Sequence, residues 1–156
     1  MYGFDVSLEK QADSTLISLK AVSTDYPTVA AIYTNIEKLN QYAVANGANT
    51  TNAPMLNITK GDAGNWLFMV ALPIDKLLND KGNIIAKRMF AGGKILITEN
   101  IMGGFNSIEN ALNNLEKFRS DYGYMSPAIP YQSLVTDRTK ETDSTKWATK
   151  LYYPVY

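Results

Sequence analysis

An α+β fold of two pseudo-symmetric strand-helix-strand-strand modules with mostly antiparallel sheet is indicated by three features of this chain. The first is a pair of segments, 65–74 and 146–155, each with a Trp seven residues before a Pro and a β-rich run between, at an offset of 81 residues. Trp66 and Trp147 are the only two tryptophans. The second is the apolar rhythm of Ile32, Tyr33, Ile36, Leu39 and Ala43, which returns in Ala111, Leu112, Leu115 and Phe118. Tyr26 then matches Phe105, Val29 matches Ile108, and Ile36 to Leu39 matches Leu115 to Phe118, all at an offset of 79. The third is that short β-rich runs alternate with turn-forming stretches around both helical patterns. A repeat at this period outranks local pattern, because it sets the whole architecture. One module is expected at about 1–76 and the other at about 84–156, sharing one core in a single domain 1–156.

Taken in order, Phe4, Val6 and Leu8 alternate with Asp5, Ser7 and Glu9, the period of a half-buried strand. Lys10 to Ser14 turns the chain into a second strand, Leu16 to Val22. A helix is expected from Asp25 or its neighbours to about Ala45, with Pro27 tolerated in its first turn and Asn46-Gly47 as its stop. Met55 to Thr59 and Trp66 to Leu72 form a hairpin across the turn Lys60 to Gly64. Asp75 to Lys81 is a connector. In the second half, Ile84 to Phe90 turns through Ala91 to Lys94 into Ile95 to Ile101. A helix capped by Asn106, with Glu109 as its capping-box partner, is expected to reach Asp121. Tyr131 to Thr136 and Lys146 to Val155 make the last hairpin, around the charged loop Asp137 to Thr145.

Composition narrows the chemistry. The chain of 156 residues is 46% hydrophobic, enough for one core, and its 15 basic and 15 acidic residues cancel. No field that would gather nucleic acid is therefore expected, and the ten tyrosines come without a basic cluster to accompany stacking. With no Cys and no His, thiol, Ser-His-Asp and zinc chemistry lack their residues. Neither a metal nor a cofactor is expected, and enzymatic activity is disfavoured. No run approaches the ~18 apolar residues of a membrane span. The expected location is the cytoplasm, unless these residues come from an anchored or exported parent.

Gly92-Gly93-Lys94 before a strand, Gly103-Gly104-Phe105 opening a helix, Pro127 and Asp137 around a strand, and Thr149 to Val155 closing in Pro-Val together resemble the GyrI-like, or bacterial transcription activator effector-binding, domains. The likeness spans nearly the whole chain. It implies helices on one sheet face and, on the other, an aromatic cleft between the modules that takes a small hydrophobic or aromatic ligand. Family members serve as drug-sensing halves of transcription regulators or as free-standing binders. One branch hydrolyses cyclopropane-bearing toxins, and another is linked to gyrase inhibition through protein contact; these are the alternative functions. A stand-alone binder without a DNA-binding half is the expectation here. The family's Glu, five residues before an Asp, falls on Gln132, which cannot supply a negative charge or a general base.

The candidate ligand residues are Trp66, Phe68, Trp147 and Tyr153 as walls, and Gln132, Asn57 and Thr149 as polar contacts. Tyr26 and Phe105 stand at the helix entrances. Each Trp either lines the cleft or fills its module's core, and Tyr26 and Phe105 serve either the cleft mouth or hydrophobic staples. Glu99 is the one candidate carboxylate for catalysis, against a plain solvated charge.

Overall fold

The computed structural model describes residues 2–10, 14–89, 93–126 and 128–155. Residues 11–13, Phe90, Ala91, Gly92 and Pro127, which entered the readings above, lie outside them. The elements are β1 (Val6–Lys10), β2 (Ser14–Ser23), α1 (Val29–Ala45), β3 (Met55–Lys60), β4 (Trp66–Ile74), β5 (Ile85–Met89), β6 (Lys94–Thr98), β7 (Ile101–Met102), α2 (Phe105–Asp121), β8 (Tyr131–Ser133) and β9 (Ala148–Val155). They form two compact units, Asp13–Phe90 and Met1–Ala12 with Ala91–Tyr156. No helix among the described residues is long and apolar enough to cross a membrane.

In the unit of residues 13–90, β4 lies between β3 and β2, and β5 pairs with β2, all antiparallel. Phe68, Val70, Leu72 and Ile74 alternate along β4 and are all buried. Leu56, Ile17 and Leu19 stand opposite in register and are buried with them. Helix α1 packs on β4 and β2 through the stripe Ile32, Ile36, Leu39 and Ala43. Its start falls later than expected, at Val29, behind the cap Thr28, whose hydroxyl accepts from the Ala31 N–H at 3.1 Å. Pro27 holds Tyr26 away from helical backbone, so the helix cannot begin at Asp25.

The other unit repeats this plan. β9 lies between β8 and β6, β1 pairs with β6, and the short β7 also pairs with β9, again antiparallel. Leu151, Tyr153 and Val155 of β9 join Leu96, Ile101 and the α2 residues Ile108, Ala111 and Leu115 in one core. The strand expected over Ile95 to Ile101 is divided after Thr98, whose hydroxyl accepts the Leu151 N–H at 3.0 Å in place of a backbone partner. Helix α2 starts at Phe105 rather than after Asn106, and its cap Gly104 provides no side-chain bond, so the expected capping box does not form. Gly103 turns the chain into this helix at φ +124°, where a Cβ would meet Ser107 Oγ at 2.4 Å.

Strand register corrects the internal alignment. Ile17 faces Leu72 as Leu96 faces Tyr153, an offset of 79 for the first strands and 81 for the last. Leu56 faces Val70 as Gln132 faces Leu151, so the third strands are offset by 76. The helices also begin 76 residues apart, pairing Ile32 with Ile108 and Leu39 with Leu115 instead of the matches at 79. The rise from 76 to 81 places five extra residues in the β8–β9 connection.

The edge strands also differ from the expected hairpins. β1 pairs with β6 and β5 with β2, so each unit takes its edge strand from the other half of the sequence. A repeat makes this exchange inexpensive: the two edges offer the same ladder and alternation, so pattern alone does not separate a strand's own module from its copy.

Candidate functional site

The β8–β9 connection builds the site of chemical interest. Asp137 opens it with an Asx turn, its carboxylate accepting from the Thr139 N–H at 2.9 Å and the Thr139 hydroxyl at 2.6 Å. That hydroxyl, more than any other group, holds the Asp137 carboxyl below its ordinary value. Asp143 repeats the device, accepting from the Thr145 N–H at 3.1 Å ahead of the 3-10 turn Ser144–Lys146. The Trp147 indole N–H then donates to the Glu141 carbonyl at 2.7 Å, fixing the half-buried ring against the loop. Thr136 closes the neck, its N–H bonded to the Ala148 carbonyl and its hydroxyl accepting the Ala148 N–H.

From this braced loop Arg138 folds back onto the β8–β9 hairpin. The residue is only 8% exposed, and its Nη2 donates to Thr149 Oγ1 at 3.0 Å and to Gln132 Oε1 at 3.3 Å. Its guanidinium carbon lies 4.7 Å from the centroid of the Trp147 ring, a cation–π arrangement. Gln132 and Thr149 are themselves buried. Because Gln132 faces Leu151, Thr149 is its diagonal neighbour on the same face of the hairpin. Three expected ligand residues, Trp147, Gln132 and Thr149, are thus brought together around a fourth that sequence reasoning missed. The available signal was the hairpin itself: Arg138 stands at the head of the loop, with a stem long enough to fold over the Gln132–Thr149 diagonal.

The remaining candidates fall elsewhere. Tyr153 is buried in the core against α2, and its hydroxyl donates to the Glu116 carboxylate. Burial first, and then the Glu116 bond, raises its pKa, while Arg119 above all holds Glu116 below its ordinary value. Phe68 is buried on the inner face of β4. Trp66, half-buried, meets Tyr26 edge-to-face at 5.0 Å and carries the Lys60 ammonium 5.6 Å from its ring centroid. Asn57 is half-buried on β3, and Phe105 is exposed at the start of α2. Glu99 is exposed in a groove of about 590 Å³ with Asp5, Tyr2, Phe4, Phe118 and Tyr122. Its carboxylate accepts the Asp5 N–H at 3.4 Å.

The arrangement of strands and helices has counterparts among solved structures. The EcmrR C-terminal domain superposes with a TM-score of 0.77 at 19% identity, covering 99% of this chain and 98% of that one. The chain has the GyrI-like fold. EcmrR in its DNA complex gives a TM-score of 0.78 at 18% identity, and there the chain spans only 58% of the longer protein. A hydrolase from Listeria innocua shares the fold with a TM-score of 0.69 at 12% identity over 97% of this chain and 91% of that one. SAV2435, solved with tetraphenylphosphonium bound, follows at a TM-score of 0.58 and 15% identity, over 97% of this chain and 94% of that one. No family model matches the sequence, and no curated protein matches it.

Proposed function

We propose that this chain binds a small, flat aromatic molecule that is neutral or weakly polar, using Trp147 as a stacking wall with Gln132 and Thr149 as polar contacts. The observation that carries this reading is the buried polar group of Arg138, Gln132 and Thr149 beneath a half-buried tryptophan. Burying three polar side chains where apolar ones would fit costs stability, and such departures collect at functional sites. Trp66 and Tyr26 offer a second aromatic surface, with Asn57 on the neighbouring strand. Phe68 and Tyr153 act through packing, the one in β4 and the other against α2. SAV2435, which shares the fold, takes an organic cation. In this chain a cation would gain the aromatic contribution, on the order of 0.5–2 kcal/mol, without a carboxylate at position 132.

The test is a thermal-shift screen of neutral flat aromatics and of lipophilic cations, tetraphenylphosphonium among them, on the wild type, Trp147→Ala and Gln132→Glu. Neutral compounds are expected to raise the wild-type melting temperature. Trp147→Ala should abolish that shift, and Gln132→Glu should open the site to cations. Stabilisation of the wild type by cations alone, or a shift unchanged in Trp147→Ala, would contradict the reading.

A further inference from the structure

We propose that the groove between residues 2–6 and the C-terminal end of α2 is a separate binding site for a small aromatic amine. Asp5 and Glu99 would accept its ammonium N–H groups, and Phe118 and Tyr122 would receive its ring. The groove, of about 590 Å³, lies wholly within the unit built around β9 and has the size of a small-molecule site. Its floor is apolar, with Phe4, Val6 and Phe118 partly buried against that unit's core. Its rim is acidic. Asp5 and Glu99 are exposed and held together, the Glu99 N–H donating to the Asp5 carbonyl at 3.1 Å and the Glu99 carboxylate accepting the Asp5 N–H at 3.4 Å. Among the described residues no basic side chain lines the groove. The aromatic wall is set in place: Phe118 and Tyr122 stack at 4.4 Å, Tyr2 meets Phe118 edge-to-face at 5.1 Å, and the Tyr2 hydroxyl donates to Asp121 at 2.8 Å. Tyr122 is nonetheless 63% exposed.

Two carboxylates beside aromatic rings select a cation, because ring faces and carboxylate oxygens both present negative potential. The C-terminal end of α2 adds to that potential. Lys117, whose Nζ lies 5.9 Å from the Tyr2 ring centroid, is taken up by Asp121 at 2.8 Å. Carboxylates are acceptors only, so a cation with N–H donors satisfies them where a quaternary one does not. The apolar floor matches a ring or hydrocarbon body on the same molecule. Neither carboxylate belongs to the Arg138, Gln132 and Thr149 group, so the two sites can be tested apart.

The experiment is isothermal titration of the full chain with tryptamine and with methylamine, which carries the charge without the ring. Tryptamine should bind the wild type more tightly than methylamine, and Asp5→Asn/Glu99→Gln should weaken tryptamine about fivefold or more. Both substituted carboxylates are exposed, so this variant should fold as the wild type does. Tyr122→Ala should also weaken tryptamine, whereas Trp147→Ala should leave the loss caused by Asp5→Asn/Glu99→Gln in place. The thermal shift given by 2-naphthamide, a neutral flat aromatic, should be the same in Asp5→Asn/Glu99→Gln as in the wild type. Four results overturn the inference: no tryptamine binding to the wild type, methylamine binding as tightly, affinity unchanged in Asp5→Asn/Glu99→Gln, or binding abolished by Trp147→Ala. The first three leave the neutral-ligand reading of the Trp147 site standing. A missing 2-naphthamide shift with tryptamine binding as described removes that reading and supports the groove.

Discussion

The two units solve the same packing problem with different chemistry. In one, the inner face of the β3–β4 hairpin carries Leu56 and Phe68, both buried and apolar. At the register-equivalent positions of the β8–β9 hairpin the other unit carries Gln132 and Thr149, equally buried, with Arg138 laid over them. Each hairpin also holds a half-buried tryptophan with a cation beside its ring, Lys60 at 5.6 Å from Trp66 and Arg138 at 4.7 Å from Trp147. Lys60 is exposed, whereas Arg138 is buried. Because backbone plan and register are alike in the two hairpins, the difference between them is one of side-chain chemistry. An apolar solution to this site is present in the same molecule.

That contrast can be broken first on its apolar side. Phe68→Ala should cost about 3–5 kcal/mol by denaturant unfolding, since it empties a filled core, and the variant's ligand affinity should match the wild type's. On the polar side a single cut should cost less and reach function. Gln132→Leu leaves Arg138 short of one acceptor, an expected loss of about 1–3 kcal/mol, and ligand-induced stabilisation should fall with it.

Acid should separate the units further. Glu116, Asp121 and Asp137, all in the unit built around β9, are held below their ordinary values, chiefly by bonds from Arg119, Lys117 and Thr139 respectively. In the other unit, among the described residues, Asp75 is so held, mainly by the Asn49 N–H. A carboxyl with a depressed folded-state pKa contributes stability that is complete above its unfolded value and lost as pH falls through the folded one. Hydrogen exchange at successively lower pH, starting from about pH 4, should therefore show protection declining sooner in β6, α2 and β9 than in β2, α1 and β4. The smallest effect belongs to Glu99. As an exposed side chain whose carboxylate accepts the Asp5 N–H and which lies outside the Arg138, Gln132 and Thr149 group, Glu99→Gln should change stability by no more than about 0.5 kcal/mol and leave the shifts of neutral aromatic ligands intact.

Much of this architecture was legible in residue order. Both helices, the Trp-to-Pro strands and the α+β class follow from periodicity and self-similarity. What escaped depended on partners distant in sequence. The exchange of β1 and β5 turns on which of two equivalent edges a strand joins, and alternation is the same for either. The helix alignment slipped by three residues because apolar side chains on neighbouring turns match almost as well as the correct ones, and only the caps and buried stripes of α1 and α2 settle it. Arg138 was invisible because arginine is ordinarily a surface residue, and its burial arises from a loop folding over a hairpin.

The central claim is that the polar cluster of the β8–β9 hairpin is retained for binding at the expense of stability. It is tested most directly by giving this hairpin the apolar character of its sister, in the triple variant Gln132→Leu/Arg138→Met/Thr149→Val, and measuring urea unfolding with and without 2-naphthamide. Replacing a buried charged cluster by apolar groups of similar volume is often neutral or stabilising by about 1–4 kcal/mol. The account predicts an unfolding midpoint at or above the wild type's and no shift on adding ligand. A midpoint well below the wild type's, with the ligand shift preserved, would contradict it.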